Sequence, residues 1–158
     1  MRWQTKEFVK KFVTDHWPGG TVLEVGSLDV NGTVKELFPS GYTGVDMRSG
    51  SNVDIVCNGH DLVKQFGEES FDTVVCFDTI EHDDKFWITL DQMKKVLKKG
   101  GWLLLGAPSL NCPLHDHPSD YWRFMPASFN VLFEGLSNTL VEPENSDEIY
   151  GYGQKTQD

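Results

Sequence analysis

A chain of 158 residues is long enough to bury one real core and too short for two independent ones. With 39% hydrophobic and 24% charged residues it has a globular composition, and no apolar run approaches the roughly 20 residues that cross a bilayer, which excludes disordered, fibrous and membrane-spanning classes. A net charge of −10 argues against a nucleic-acid partner, because phosphate neutralisation supplies most non-specific nucleic-acid affinity.

The opening stretch MRWQTKEFVKKF has no small-residue cleavage site, so it reads as part of a cytoplasmic protein rather than as a signal peptide. Helical spacing over Lys6–His16 puts Phe8, Val9, Phe12 and Val13 on one face, until Pro18-Gly19-Gly20 breaks it. Thr21–Val25 is a short apolar strand. Val30, Val34, Leu37 and Phe38 recur at helical spacing, and Pro39-Ser40-Gly41 ends that helix. Tyr42–Asp46 and Val53–Val56 read as strands too close together for a full crossover helix between them. Asp61–Phe66 supplies a short helix and Phe71–Phe77 a buried strand. Asp84–Lys99 is the clearest helix, with Phe86, Leu90, Met93 and Leu97 on one stripe, Trp87 in the core and Gly100 placed to terminate it. Lys94, Lys95, Lys98 and Lys99 then complement the dipole of its last turn.

Trp102–Gly106 is a fifth strand, followed by an irregular segment, Ala107–Phe124. Pro126 opens a helix carrying Phe129, Leu132, Phe133 and Leu136, and Thr139–Val141 and Ile149–Gly153 are candidates for a closing antiparallel hairpin. This alternation implies an α/β fold: one domain over residues 1–158 with a Rossmann-like, mostly parallel sheet and helices on both faces. Cys57, Cys76 and Cys112 are odd in number and lack CxxC spacing, which argues against disulfides and a thiolate metal centre. Cys57 and Cys76 lie in apolar runs and read as small core residues.

Ligands of an open α/β sheet bind beyond the carboxyl ends of the strands. The first strand ends in Glu24-Val25-Gly26 with the loop SLDVNG behind it. The second ends in Asp46, about twenty residues after Gly26, the spacing of a carboxylate that accepts from a ribose. The fourth ends in Cys76-Phe77-Asp78. A dinucleotide fingerprint would place its second glycine where Leu28 stands, and Glu24 would repel a pyrophosphate while suiting an ammonium or sulfonium. Each residue also has a bland reading, Glu24 as a solvated strand end and Asp46 as a turn former; the combination with Gly26 and Gly32 is what points to a nucleoside site.

The segments VLEVGSLDVNG (22–32), YTGVD (42–46), FDTVVCFDTIEH (71–82) and MKKVLKKGGWLLLGAPS (93–109) together resemble class I S-adenosylmethionine-dependent methyltransferases of the broad "type 11" group, in a trimmed form. The resemblance implies an enzyme with S-adenosyl-L-methionine as cofactor. It implies that Glu24, Gly26 and Ser27 form the turn beneath the methionine moiety, and that Asp46 takes the ribose hydroxyls with Met47 beside it. Asn58-Gly59-His60 would lie against the adenine, Phe77 and Asp78 would line the sulfur side, and Glu81-His82 would match the family's "EH" pair, with His82 at the cofactor or capping the helix near Asp84.

The donor half leaves the acceptor open, since the departing sulfur is neutral and only an acceptor hydroxyl or ammonium requires a base. A small or sugar-like acceptor is expected over Ala107–Phe124, whose H-x-x-P-x-D-Y-W-R-F pattern occurs in part of the resembling family. Three readings of that segment stand. His115 or His117 is a base with Tyr121, Trp122 and Arg123 clamping the acceptor; Asp120 pairs with Arg123 while Trp122 and Phe124 plug the core; or His-Asp-His begins a metal site, which adjacent ligands alone do not complete, so that no metal is expected. Rival functions are a cofactor-binding protein without turnover and an NAD-dependent oxidoreductase.

Overall fold

The computed structural model describes residues 2–115, 119–142 and 147–158. Its strands are β1 (Val22–Val25), β2 (Tyr42–Asp46), β3 (Ile55–Val56), β4 (Phe71–Phe77), β5 (Leu97–Pro108), β6 (Leu136–Val141) and β7 (Glu148–Lys155). They form one sheet in the order β3-β2-β1-β4-β5-β7-β6. The first five run parallel, and β7 pairs antiparallel with both β5 and β6. The expected hairpin is therefore present, in longer strands than the tail's residue pattern suggested.

Alternation along the strands divides the core between two faces. Leu23, Val25, Val74, Cys76, Leu103 and Leu105 point to one face, covered by α2 (Leu62–Phe66), α3 (Phe86–Val96) and α4 (Pro126–Leu132). Val22, Val75, Phe77, Trp102 and Leu104 point to the other, covered by α1 (Trp3–Asp15) through Phe8, Val9 and Phe12. Glu24 lies between Leu23 and Val25, so it falls on the α1 face, beside its β2 partner Gly44 and two residues from the end of β2 at Asp46. Cys57 and Cys76 are both buried in the first core, as expected.

Five sequence expectations need correction. The helix over Val30–Phe38 is only a 3₁₀ turn at Lys35–Leu37. Asp29 Oδ1 accepts from Gly32 N at 2.7 Å and Thr33 Oγ1 from Lys35 N at 3.0 Å, side-chain bonds that compete with a helical ladder. The Asp84–Lys99 helix spans Phe86–Val96, because Leu97 is extended and pairs with Phe71 in the sheet. Gly100, at φ 76°, belongs to a bulge between the Phe71–Leu97 and Thr73–Trp102 pairs rather than to a helix end, and Lys98 bonds Asp72 at 3.0 Å. Trp87 is 52% exposed, and Leu136 opens β6 instead of closing α4.

Phe129 in α4 is fully buried, 5.9 Å from the ring of Phe124 and 6.2 Å from that of Phe133. Phe129→Ala is expected to cost about 3–5 kcal/mol, read as a lowered denaturant midpoint with an unchanged slope.

Candidate functional site

At the carboxyl end of β1 the chain must turn sharply without blocking the sheet end. Gly26 does this at φ 77°, where a Cβ would lie 2.0 Å from Thr79 Oγ1, so both conformation and space demand glycine. Gly26 N and Ser27 N both donate to the Val45 carbonyl, at 2.9 and 3.0 Å, fastening the turn to β2. The Ser27 hydroxyl is buried without a partner among the described residues.

Glu24 lies under this turn and is only 4% exposed. Its Oε2 accepts from Asn52 Nδ2 at 3.1 Å, and the same amide is within 3.0 Å of the Ser27 carbonyl, Thr33 Oγ1 and Tyr42 OH. Burial pushes the Glu24 carboxyl up to about 8 against the pull of that amide, with Asp29, Glu36 and Asp46 adding to the rise. Without a cation opposite, it is largely protonated at neutral pH. Asp46, on the other side of the turn, accepts from Leu28 N at 3.3 Å and Arg48 N at 3.0 Å. Glu24, through Asn52, and Asp46, through Leu28 N, are thus both linked to the loop after β1.

The other expected cofactor residues are placed as follows. Met47 is 64% exposed and Val56, paired with Asp46, is 57% exposed, leaving an apolar rim at the ends of β2 and β3. Asn58 Oδ1 caps the next turn by accepting from His60 N, and His60 Nε2 lies 3.0 Å from both carboxylate oxygens of Asp83. Gly59 packs against Thr89 of α3. Phe77 is buried on the α1 face against Phe8 and Tyr150, so its ring belongs to that core. Asp78 has φ 47°, and burial raises its carboxyl while a hydrogen bond with Glu148 holds it down. Glu148, paired with Arg2 and bonded by Tyr150 OH, is pushed up to about 8 by burial and by Asp78.

A second cluster follows β4. The 3₁₀ turn Ile80–His82 carries Glu81, whose side chain is wholly buried. His82 Nε2 lies 3.6 Å and His115 Nε2 3.4 Å from Glu81 Oε1. Asp120 receives two bonds from Arg123, at 2.5 and 2.6 Å, plus His115 N at 2.9 Å, and the guanidinium holds its carboxyl far below the usual range. Tyr121 N donates to the Glu81 carbonyl at 2.8 Å while its side chain is exposed, and Trp122 Nε1 donates to the Asp83 carbonyl at 2.9 Å. The Asp120–Arg123 pair and a buried Phe124 match the structural reading of this segment; the gathering of His115 with Glu81 and His82 goes beyond it. His82 caps no helix: its Nδ1 is bonded to the Ser119 carbonyl. His117 lies outside the described residues.

Sequence reasoning missed Asn52 altogether. Its signal was an asparagine in the turn GSN, a residue that tolerates the left-handed backbone it adopts at φ 68°. Glu81 was visible only as half of a dipeptide, with nothing to say it would meet His115.

A family model described as "Methyltransferase domain" matches residues 2–139. A comparison with curated proteins finds no match. Among solved structures, a SAM-dependent methyltransferase from Archaeoglobus fulgidus superposes with a TM-score of 0.77 at 13% identity, covering 98% of this chain and 95% of that one. Phosphoethanolamine N-methyltransferase 2 from Haemonchus contortus, in complex with phosphomonomethylethanolamine and S-adenosylhomocysteine, gives 0.72 at 15% identity; the match covers 98% of this chain and 53% of that enzyme, so the chain spans about half its length. The N-methyltransferase NodS from Bradyrhizobium japonicum WM9, in complex with S-adenosylhomocysteine, gives 0.69 at 15% identity, with 96% and 86% covered. The fold is that of class I methyltransferases, and the chain belongs to the methyltransferase-domain family.

Glu24 yields a test of the electrostatics. Its folded value of about 8 lies above the ordinary 4.5, so the folded state holds a proton that the unfolded state gives up between those values. Its favourable contribution is complete below pH 4.5 and is lost as pH rises through 8, in the same direction as Glu148. Glu24→Gln keeps an acceptor for Asn52 and is expected to raise the melting temperature at pH 9 by roughly 4–8 °C, about 2 kcal/mol, with little change at pH 5. Equal shifts at both pH values would contradict the assignment.

Proposed function

We propose that this methyltransferase takes its methyl group from S-adenosyl-L-methionine held across the ends of β1, β2 and β4, and transfers it to a small, sugar-like or otherwise hydroxyl- or amine-bearing molecule. The observation that carries the reading is the acidic end of the sheet. Glu24, Asp29, Asp46 and Asp78 gather there, while Arg2 is matched to Glu148 and Arg48 lies 3.9 Å from Asp46. Such an end suits a cationic nucleoside and disfavours the diphosphate of NAD.

The residues present fit that group. Asp46, its carboxylate oriented by two backbone amides, is placed to accept from ribose hydroxyls. The rim of Met47 and Val56 offers a flat apolar seat for a purine, closed below by the capped turn at Asn58-Gly59-His60. The Gly26-Ser27 turn, with a buried hydroxyl that has no partner among the described residues and Glu24 beneath, would face the charged end. When bound, the cofactor supplies an electrophilic methyl on a sulfonium that leaves as a neutral thioether. The protein's task is then to hold the acceptor in line and exclude water. His115, 41% exposed at its side chain, lies with the exposed Tyr121 on the side where the acceptor is proposed to dock. Two of the neighbours named above are N-methyltransferases, one of them in complex with phosphomonomethylethanolamine, in keeping with a small acceptor.

Calorimetry with S-adenosylhomocysteine tests the donor side. Asp46→Ala is expected to weaken binding at least about tenfold, some 1.4 kcal/mol; unchanged affinity, or no heat with the wild type at millimolar ligand, would overturn the assignment. On the acceptor side, His115→Ala is expected to retain that affinity within about twofold while losing methyl transfer to a panel of sugars and amino alcohols by at least about a hundredfold. Transfer at the wild-type rate would remove His115 from the reaction.

A further inference from the structure

Around Glu81, a carboxyl and two imidazoles converge. The Glu81 side chain is wholly buried and its Oε2 has no partner among the described residues. The two imidazoles that face it are each held from behind. His82 Nδ1 meets the Ser119 carbonyl, and His115 Nδ1 lies 3.4 Å from both the Pro113 carbonyl and Asp120 Oδ2. Carbonyl and carboxylate oxygens only accept, so a proton on Nδ1 suits these rear contacts and frees Nε2 to act as a ligand. Both Nε2 atoms face Glu81 Oε1, across 3.6 and 3.4 Å.

A cation among them would engage both imidazoles and the carboxylate at once. A single proton satisfies one pair of the three. The ligand atoms of Glu81, His82 and His115 all lie within 4.8 Å of one another, and the two measured edges to Glu81 are close to those of a tetrahedron with metal–ligand bonds of roughly 2.0–2.2 Å. The rear contacts are the outer partners that orient metal-bound histidines, and Arg123 in turn fixes Asp120.

We propose that Glu81, His82 and His115 bind one divalent cation of the zinc class. Two imidazoles and one carboxylate suit zinc better than magnesium or calcium, which take oxygen ligands. The three protein groups leave a coordination position on the exposed His115 side, the side on which the acceptor is proposed to dock. Only the use of the ion rests on that proposed function; the binding of the ion does not.

The test uses the untagged full chain, stripped with a chelator and titrated with Zn²⁺ by calorimetry and with Co²⁺ by visible absorption. One equivalent of each is expected to bind, with Co²⁺ giving the intense bands of a low-coordinate site, and millimolar Mg²⁺ failing to compete. His82→Ala and His115→Ala, checked for folding by circular dichroism, are each expected to weaken binding by on the order of a hundredfold. No binding by the wild type, or equal binding by both variants, would overturn the site. S-adenosylhomocysteine affinity of the stripped protein reports the donor half separately, so failure of one reading leaves the other measurable.

Discussion

A carboxyl group buried at the end of β1 constrains the rest of this molecule. Glu24 has one amide, that of Asn52, to offset its desolvation, and that amide is shared among the Ser27 carbonyl, Thr33 and Tyr42. The same contacts tie the loop after β2 to the loop after β1. The turn at Gly26, the position of Asp46 and the short 3₁₀ segment in place of a helix are arranged around a group that is costly to ionise in isolation and favourable to ionise beside a cation.

The two halves of the proposed site are built differently. The donor half uses strand ends, whose positions follow from the parallel register of β1, β2 and β4. The acceptor half uses the segment after β5, fixed by side chains: Asp120 with Arg123, Trp122 on the Asp83 carbonyl, and the Ser109–Phe124 bridge. A rigid sheet end and a side-chain-braced loop meet at Glu81, which belongs to the first by sequence and touches His115 of the second.

What was legible in the sequence follows the same division. β2 and β4 were read to the residue, because apolar runs bounded by Gly, Pro and Asp leave little freedom. The helix over Val30–Phe38 was misread because Val34 and Phe38 are buried by turns whose side-chain bonds do not show in hydrophobic spacing. Leu97 and Leu136 were assigned to helices since apolar periodicity continues across a helix–strand junction. Asp46 could be placed from its spacing, whereas the convergence of Glu81, His82 and His115 depends on contacts between residues more than thirty positions apart.

The central claim is that a cationic ligand meets the buried carboxyl groups at the sheet end, and proton counting tests it directly. Binding of S-adenosylmethionine measured by calorimetry at pH 7.5, in buffers of differing ionisation heat, gives the number of protons exchanged. A net release that shrinks in Glu24→Gln is expected, because a nearby cation lowers a carboxyl that otherwise stands at about 8. Binding with no proton exchange, or with uptake, would show that the ligand's charge lies elsewhere.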